Sequence, residues 1–246
     1  MKIIVNGAGG RMGKEVINLA KNGFRGAELA AAMDINPINE DFVSYTNWKD
    51  IKEKADCIID FSNHAGTQAL LTYAISKKIP VVVATTGHTD REILMIKEAA
   101  KIIPVFWSAN MSLGVALLVE LAKEAVKNMP DADIEIVEKH HNRKLDAPSG
   151  TALMIANAVK KVREKSKFVF GRYGQTKRTK EEIGIHAIRM GNIVGEHEVI
   201  IGTDNETITL KHEAHSRALF AEGAVAAASF IVGKPAGLYS MQDIVG

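Results

Sequence analysis

The sequence predicts an α/β protein: a doubly wound parallel sheet of the dinucleotide-binding type, joined to an α+β part built on a mixed sheet. Three observations predict it. The chain opens on a short apolar run, Lys2 to Asn6, that enters the glycine-rich turn Gly7-Ala-Gly-Gly-Arg-Met-Gly13 and then an amphipathic segment. Apolar runs of buried-strand length then alternate with helical segments as far as Trp107, the βαβα order of a parallel sheet. Beyond residue 165 the strand-like runs follow one another without long helices between them, which implies antiparallel or mixed pairing.

Composition narrows the function classes. The chain has 246 residues, 46% hydrophobic and 24% charged, ordinary for a globular protein able to bury a core in one large domain or two smaller ones. A net charge of +2 and the lack of a Lys/Arg-rich run argue against nucleic acid as a partner. The single cysteine, Cys57, rules out an internal disulfide framework and a multi-cysteine metal site; it sits in an apolar run and reads as core. Eight histidines without an H-E-x-x-H pattern give no reason to expect a metal. Residues 1–6 enter a strand with no signal-peptide layout, and the longest nearly apolar run, 223–233, is too short to cross a bilayer. A cytoplasmic protein without membrane contact is the expectation.

The first helix should pack Met12, Val16, Leu19 and Ala20 on one face. Glycines at 7, 9, 10 and 13 suit a tight turn that brings a pyrophosphate to the helix N-terminus, so Gly7, Ala8, Gly9, Gly10, Arg11 and Met12 are cofactor candidates. The spacing is G-x-x-G-x-x-G, with Met12 where the commoner fingerprint has glycine. Residues 28–33 read as a second strand. Asp34, at its end and 21 residues after Gly13, is placed to hold the adenine ribose hydroxyls. Further strands are read at 56–61, 80–84 and 103–107, with helices beginning at Asn63 or Thr67 and at Thr89 or Asp90. Ligands on such sheets bind beyond the carboxyl ends of the strands, where Phe61-Ser62, Ala84-Thr85-Thr86 and Ser108-Ala109-Asn110-Met111 lie.

A long helix at 111–129 is expected to pack through Leu113, Leu117, Leu121 and Ala125. The alternating run 132–138 is a strand and 152–162 a helix. Strands are read at 168–170, 184–189, 197–201 and 207–213, with a hairpin turn at 203–206. The basic stretch 160–180 reads as mobile surface. A final apolar helix spans 220–232 and is broken by Gly233-Lys-Pro-Ala-Gly237.

The stretch that carries chemistry is Glu138-Lys-His-His-Asn-Arg-Lys-Leu-Asp-Ala-Pro-Ser-Gly-Thr-Ala152, between the strand and the helix. Ser149 or Thr151 can cap that helix, and Gly150 lets a ligand approach backbone N–H groups at its positive end. Lys139, Arg143 and Lys144 add positive charge, so an anion belongs there. Histidine is a natural proton donor near neutral pH, and a lysine beside it can grip a carboxylate or supply a proton.

The pattern E-x-H-H-x-x-K-x-D-A-P-S-G-T-A, unbroken from Glu138 to Ala152, resembles the signature of the dihydrodipicolinate reductase family. The likeness extends from the first strand to the closing segment, residues 237–244; the family's Gly-Thr-Thr appears here as Ala84-Thr85-Thr86. The resemblance implies a dinucleotide-binding domain, 1–110 and 216–246, interrupted by a substrate-binding and oligomerisation domain, 111–215. It implies NAD(P)H-dependent reduction of 4-hydroxy-tetrahydrodipicolinate, or dihydrodipicolinate formed from it, to tetrahydrodipicolinate in the diaminopimelate route to lysine. It also implies that His140 and Lys144 are acid/base groups, and that His141, Ser149, Gly150, Thr151 and Arg217 bind a small dicarboxylate. Residues 84–86 and 108–111 would line the nicotinamide, and the expected assembly is a homotetramer. NADH should be preferred, with NADPH as a second cofactor, because Ile35 stands where family members that use both commonly have a basic residue. Other two-domain dehydrogenases share the glycine loop but are not expected to carry His-His-x-x-Lys with Asp-Ala-Pro-Ser-Gly-Thr. A non-catalytic nucleotide sensor would have no need of the acid/base pair.

Overall fold

The computed structural model describes all 246 residues and divides into two compact units, Met1–Ser112 with Ala218–Ile244, and Leu113–Arg217 with the last two residues.

The first unit holds a seven-stranded parallel sheet. Its strands are β1 (Lys2–Asn6), β2 (Glu28–Met33), β3 (Ser44–Tyr45), β4 (Cys57–Asp60), β5 (Val81–Val83), β6 (Pro104–Trp107) and β12 (Gly237–Tyr239), in the order β12-β6-β5-β4-β1-β2-β3. Helices α1 (Arg11–Lys21) and α6 (Ala218–Ile231) pack together on one face, and α2 (Thr67–Lys77) and α3 (Asp90–Ala100) on the other. Burial on both faces explains why β1, β4 and β5 read as unbroken apolar runs. The order reverses between β1 and β4, the crevice where doubly wound sheets bind ligands. Thr89 caps α3 in a reciprocal capping box with Glu92, while Asn63 caps a short 3-10 turn and α2 begins at Thr67.

The second unit carries β7 (Asp133–His140), β8 (Lys167–Phe170), β9 (Glu182–Arg189), β10 (Gly195–Gly202) and β11 (Thr207–Ala214), in the order β11-β10-β7-β9-β8. Pairing is antiparallel on the β10 side and parallel on the β9 side, so the sheet is mixed as expected. Helices α4 (Leu113–Asn128) and α5 (Gly150–Val162) bury Leu118, Val119, Ile155 and Val159 against Ile134, Ile136, Ile183 and Val199. A short α7 (Gln242–Val245) ends the chain.

Four expectations are corrected. Helix α1 buries Gly13, Val16, Ile17 and Ala20, and Met12 and Leu19 are only half-buried. Helix α4 starts at Leu113 and buries Val115, Ala116, Leu118, Val119, Ala122 and Val126, whereas Leu117 and Leu121 are each 48% exposed. A strict spacing of four drifts about 40° around the helix at each step, so such a stripe leaves the buried face. Strand β7 runs on to His140, which puts the first motif histidine at a strand end rather than in a loop. The basic stretch 160–180 is pinned. Arg178 donates to Asp133, Glu135 and the carbonyls of Ile134 and Glu182, Arg163 to the carbonyls of Ala132 and Lys180, and Arg172 pairs with Glu182.

Candidate active site

In the first unit the glycine loop is shaped by close approaches. Gly7 has φ +77°, and a Cβ there would fall 2.4 Å from the Phe61 carbonyl oxygen. A Cβ on Gly13 would lie 2.2 Å from the Gly7 oxygen, so the third glycine lets α1 start directly against the loop. Gly10 is the N-cap residue of α1, which leaves the first-turn amides, Arg11 and Met12 among them, at the positive end of the helix. Asp34 closes over the loop: its carboxylate accepts from the amides of Gly9 (2.9 Å) and Asn36 (3.0 Å). Gly7, Gly9, Gly10, Lys14, Asp34 and Trp48 are among the residues lining a cleft of about 1080 Å³. These features fit the phosphate and ribose end of a dinucleotide. Trp48 escaped the sequence reading, since a lone tryptophan in a loop gives no pattern.

The carboxyl-end segments lie where parallel pairing of β4, β5 and β6 puts them. Ala84 and Thr85 are buried, and the Thr85 hydroxyl accepts from the Ser62 amide at 2.9 Å, while Thr86 is exposed. The Ser108 hydroxyl donates to the Asn110 carbonyl (2.7 Å), Ala109 is exposed, and the Asn110 side chain accepts from the Ser112 amide (2.8 Å). Met111 is buried; a Cβ on Gly223 of α6 would collide with its carbonyl oxygen. Beneath them Asp60 takes hydrogen bonds from Asn6 and Ser62 (2.7 and 2.6 Å), and burial pushes its carboxyl pKa up.

In the second unit, strand alternation sorts the motif. Glu138 and His140 point to the buried face of β7, and Lys139 points the other way, to Glu196 (3.1 Å) and Glu198 (3.6 Å) on β10. Lys139 therefore does not add its charge to the helix start, a further correction. The Glu138 side chain is 0% exposed, and each of its oxygens accepts two hydrogen bonds. One oxygen takes His140 Nδ1 (2.5 Å) and Arg189 Nη1 (2.9 Å); the other takes Arg189 Nη2 (2.7 Å) and the Ser149 amide (3.0 Å). Burial alone would push this carboxyl up, but His140, Arg189 and the Ser149 amide outweigh it and hold it down to about 2. Arg189 also donates to the Asp146 carbonyl (2.7 Å), tying the motif loop to β9.

Ser149 is the cap of α5: its hydroxyl accepts from the Ala152 amide (3.1 Å) and meets His197 Nε2 (3.1 Å). Thr151 is the second residue of the helix, and Gly150, its first, is exposed with open space where a side chain would stand. The His197 ring lies edge-on to that of His140 at 5.2 Å; burial first, then His140, brings its pKa down to about 4, so it is neutral. Lys144 pairs with Asp146 (2.8 Å), and Asp146 is held below the usual carboxylate range by Lys144 first and by backbone amides including that of Gly150. His141 has a lowered pKa from burial, then from Arg143 and Arg217, and its Nδ1 is buried without a hydrogen bond. Arg217 is exposed and adds to the positive field at His141, and Arg143 is turned to Asn192 (2.6 Å). The structure gathers His140, His141, Lys144, Ser149 and Arg217, and adds Glu138, Arg189, His197 and Asp146, to which no role in proton transfer or anchoring had been assigned.

A dinucleotide-type sheet with a glycine loop, together with a separate unit presenting paired histidines and cations, defines the class of pyridine-nucleotide oxidoreductases that act on anionic substrates. Family models described as dihydrodipicolinate reductase, N-terminus and C-terminus, match residues 1–111 and 114–245. The chain belongs to the dihydrodipicolinate reductase family. It is 51% identical to a 4-hydroxy-tetrahydrodipicolinate reductase of Caldanaerobacter subterraneus, over all of this chain and 98% of that one. It is 44% identical to one from Clostridium tetani, over 98% and 95%. Among solved structures, a dipicolinate-bound dihydrodipicolinate reductase from Paenisporosarcina shares the fold, with a TM-score of 0.84 at 24% identity and 99% coverage of both chains. A probable dehydrogenase from Thermotoga maritima shares it more loosely, with a TM-score of 0.60 at 12% identity over 99% of this chain and 92% of that one.

Proposed function

We propose that the protein reduces 4-hydroxy-tetrahydrodipicolinate, or dihydrodipicolinate formed from it by loss of water, to tetrahydrodipicolinate at the expense of NAD(P)H. The observation that carries this reading is that Glu138, His140 and Ser149 of the motif are joined in one buried hydrogen-bonded cluster, in a chain whose full length matches reductases of that name. A nicotinamide bound at the carboxyl ends of the parallel strands would supply hydride to one carbon of the cyclic imine, leaving the protein to deliver a proton to the neighbouring atom.

His140 is the proton donor in this reading, and His141 contributes a polar ring next to the substrate. One substrate carboxylate takes the place of Asp146 beside Lys144 and the amides of Gly150 and Thr151; Arg217 meets the other. Gly7 to Met12 and Asp34 hold the adenosine and pyrophosphate end, and residues 84–86 and 108–111 the nicotinamide end. Asp34 with Ile35 beside it favours NADH over NADPH, since a 2′-phosphate would meet a carboxylate without a basic residue next to it. The domains are proposed as 1–110 with 216–246 for the nucleotide and 111–215 for substrate and assembly into a homotetramer. Sedimentation of the purified chain checks the assembly.

The reaction is tested by following NADH absorbance when the product of the preceding synthase is added. Substrate-dependent oxidation of one NADH per tetrahydrodipicolinate formed is expected; no oxidation with either cofactor would refute the reading. Pyridine-2,6-dicarboxylate, a planar diacid, should compete with the substrate, and its affinity should fall in Thr151→Val and Arg217→Ala. A calorimetric titration that detects no binding in the presence of NADH would contradict the pocket.

A further inference from the structure

We infer that Glu138, clamped by Arg189, is a positioning residue that fixes the working nitrogen of His140: Nδ1 is committed to Glu138, and Nε2 is the atom that exchanges the proton. The inference rests on the proposed reduction for its meaning, but the geometry behind it stands by itself.

Four donors converge on the two oxygens of a carboxylate with no exposure to solvent. A carboxylate has about four lone-pair sites, so Glu138 is saturated. Two of the four bonds form a bidentate pair with Arg189, which fixes the carboxylate plane as well as its charge. Held ionised by these partners, Glu138 has no proton to give. The short contact to His140 Nδ1 is therefore an N–H donated by the ring, in the neutral as in the charged imidazole. Only Nε2 is then left to gain or lose a proton. Next to it lies Gly195 of β10, where a Cβ would come within 3.1 Å of Nε2. The backbone is thus near enough that any side chain at 195 would crowd the nitrogen.

The same carboxylate sets the start of α5. Its bond to the Ser149 amide holds the residue whose hydroxyl caps that helix and meets His197. Orientation of the acid and placement of the proposed anion-binding amides at Gly150 and Thr151 are thereby set by one side chain. The groups around His140 are Glu138 on its own strand, Arg189 on β9 sharing a Glu138 oxygen with it, neutral His197 on β10, and His141 next to it in the chain. Glu138 is the anion in contact with the ring, so removing its charge has a definite sign.

Two measurements test this. In Glu138→Gln, kcat should fall about a hundredfold or more, with KM for NADH unchanged, because a misoriented acid fails only in the transition state. The alkaline limb of the kcat profile should also move to lower pH, since the cluster loses its anion, and Glu138→Asp should restore the limb. Wild-type kcat with an unmoved limb would overturn the inference. The second measurement needs no Glu138 variant. Long-range proton–nitrogen NMR of the histidine-labelled wild-type protein, at a pH where its rings are neutral, should show the His140 ring protonated at Nδ1, assigned by the signal lost in His140→Gln. A proton on Nε2 instead would overturn the inference. A wild-type protein without turnover would sink the proposed reaction, while the NMR experiment would still decide the pairing.

Discussion

At the scale of residues, the fold gives its imidazoles different work through burial and partners. His197 has no charged partner in contact and a pKa brought down to about 4 from 6.5, so folding keeps it neutral. As pH falls below 6.5 the unfolded chain takes a proton there before the folded one does. The contribution of His197 is therefore complete above 6.5 and is lost as pH drops through about 4, with a ceiling of about 3 kcal/mol. Glu138 behaves likewise in a lower window, from 4.5 down to about 2. Urea midpoints should decline from pH 7 to pH 4.5, and His197→Gln should flatten that decline; an equal slope in the variant would contradict the assignment. Lys144 pairs with Asp146; if its ammonium grips a substrate carboxylate as proposed, Lys144→Ala should raise KM for substrate and lower kcat. An unchanged KM would remove Lys144 from substrate binding. His140 and Lys144 were legible in the sequence because they stand together in one motif. The parts of Arg189 and His197 were not, since Arg189 meets Glu138 across 51 residues and His197 meets Ser149 across 48, through pairing that β9 and β10 alone create.

At the scale of elements, the strand-turn-helix opening was legible because a buried apolar strand runs straight into glycines that the turn requires at positions 7 and 13. Gly13→Ala would place a methyl 2.2 Å from the Gly7 oxygen and lever α1 off the loop. Its Kd for NADH, read by nucleotide fluorescence, should rise at least tenfold, and Tm should fall; normal binding would show that the loop tolerates the shift. Thr89→Ala removes one half of the capping box of α3 and should cost about 1 kcal/mol in a denaturant titration. The packing face of α4 was misread because leucines at 117 and 121 look like core, while the face against the sheet is made by Leu118, Val119, Ala122 and Val126. The basic stretch after α5 was misread because charge suggests solvent, yet Arg178 spends its donors on backbone carbonyls and two acids.

At the scale of the whole molecule, the chain folds into two compact units, one with the cleft proposed for the nucleotide and one with the cluster proposed for proton transfer. Asp34 and Ile35 both line that cleft, and the Ile35 side chain is exposed. NADH should have the higher kcat/KM, mostly through KM, and Asp34→Ala with Ile35→Arg should shift preference toward NADPH. Equal use of NADPH by the unaltered protein would show that Asp34 does not control the choice. In the proposed reaction His140 gives the proton that completes hydride transfer, and this role underlies the rest. It is tested most directly by kcat of His140→Gln at saturating substrate and NADH, with Kd for NADH measured on the same preparation. kcat should fall roughly a hundredfold to ten-thousandfold while Kd stays within a factor of about two; turnover at the wild-type rate would rule out His140 as the donor.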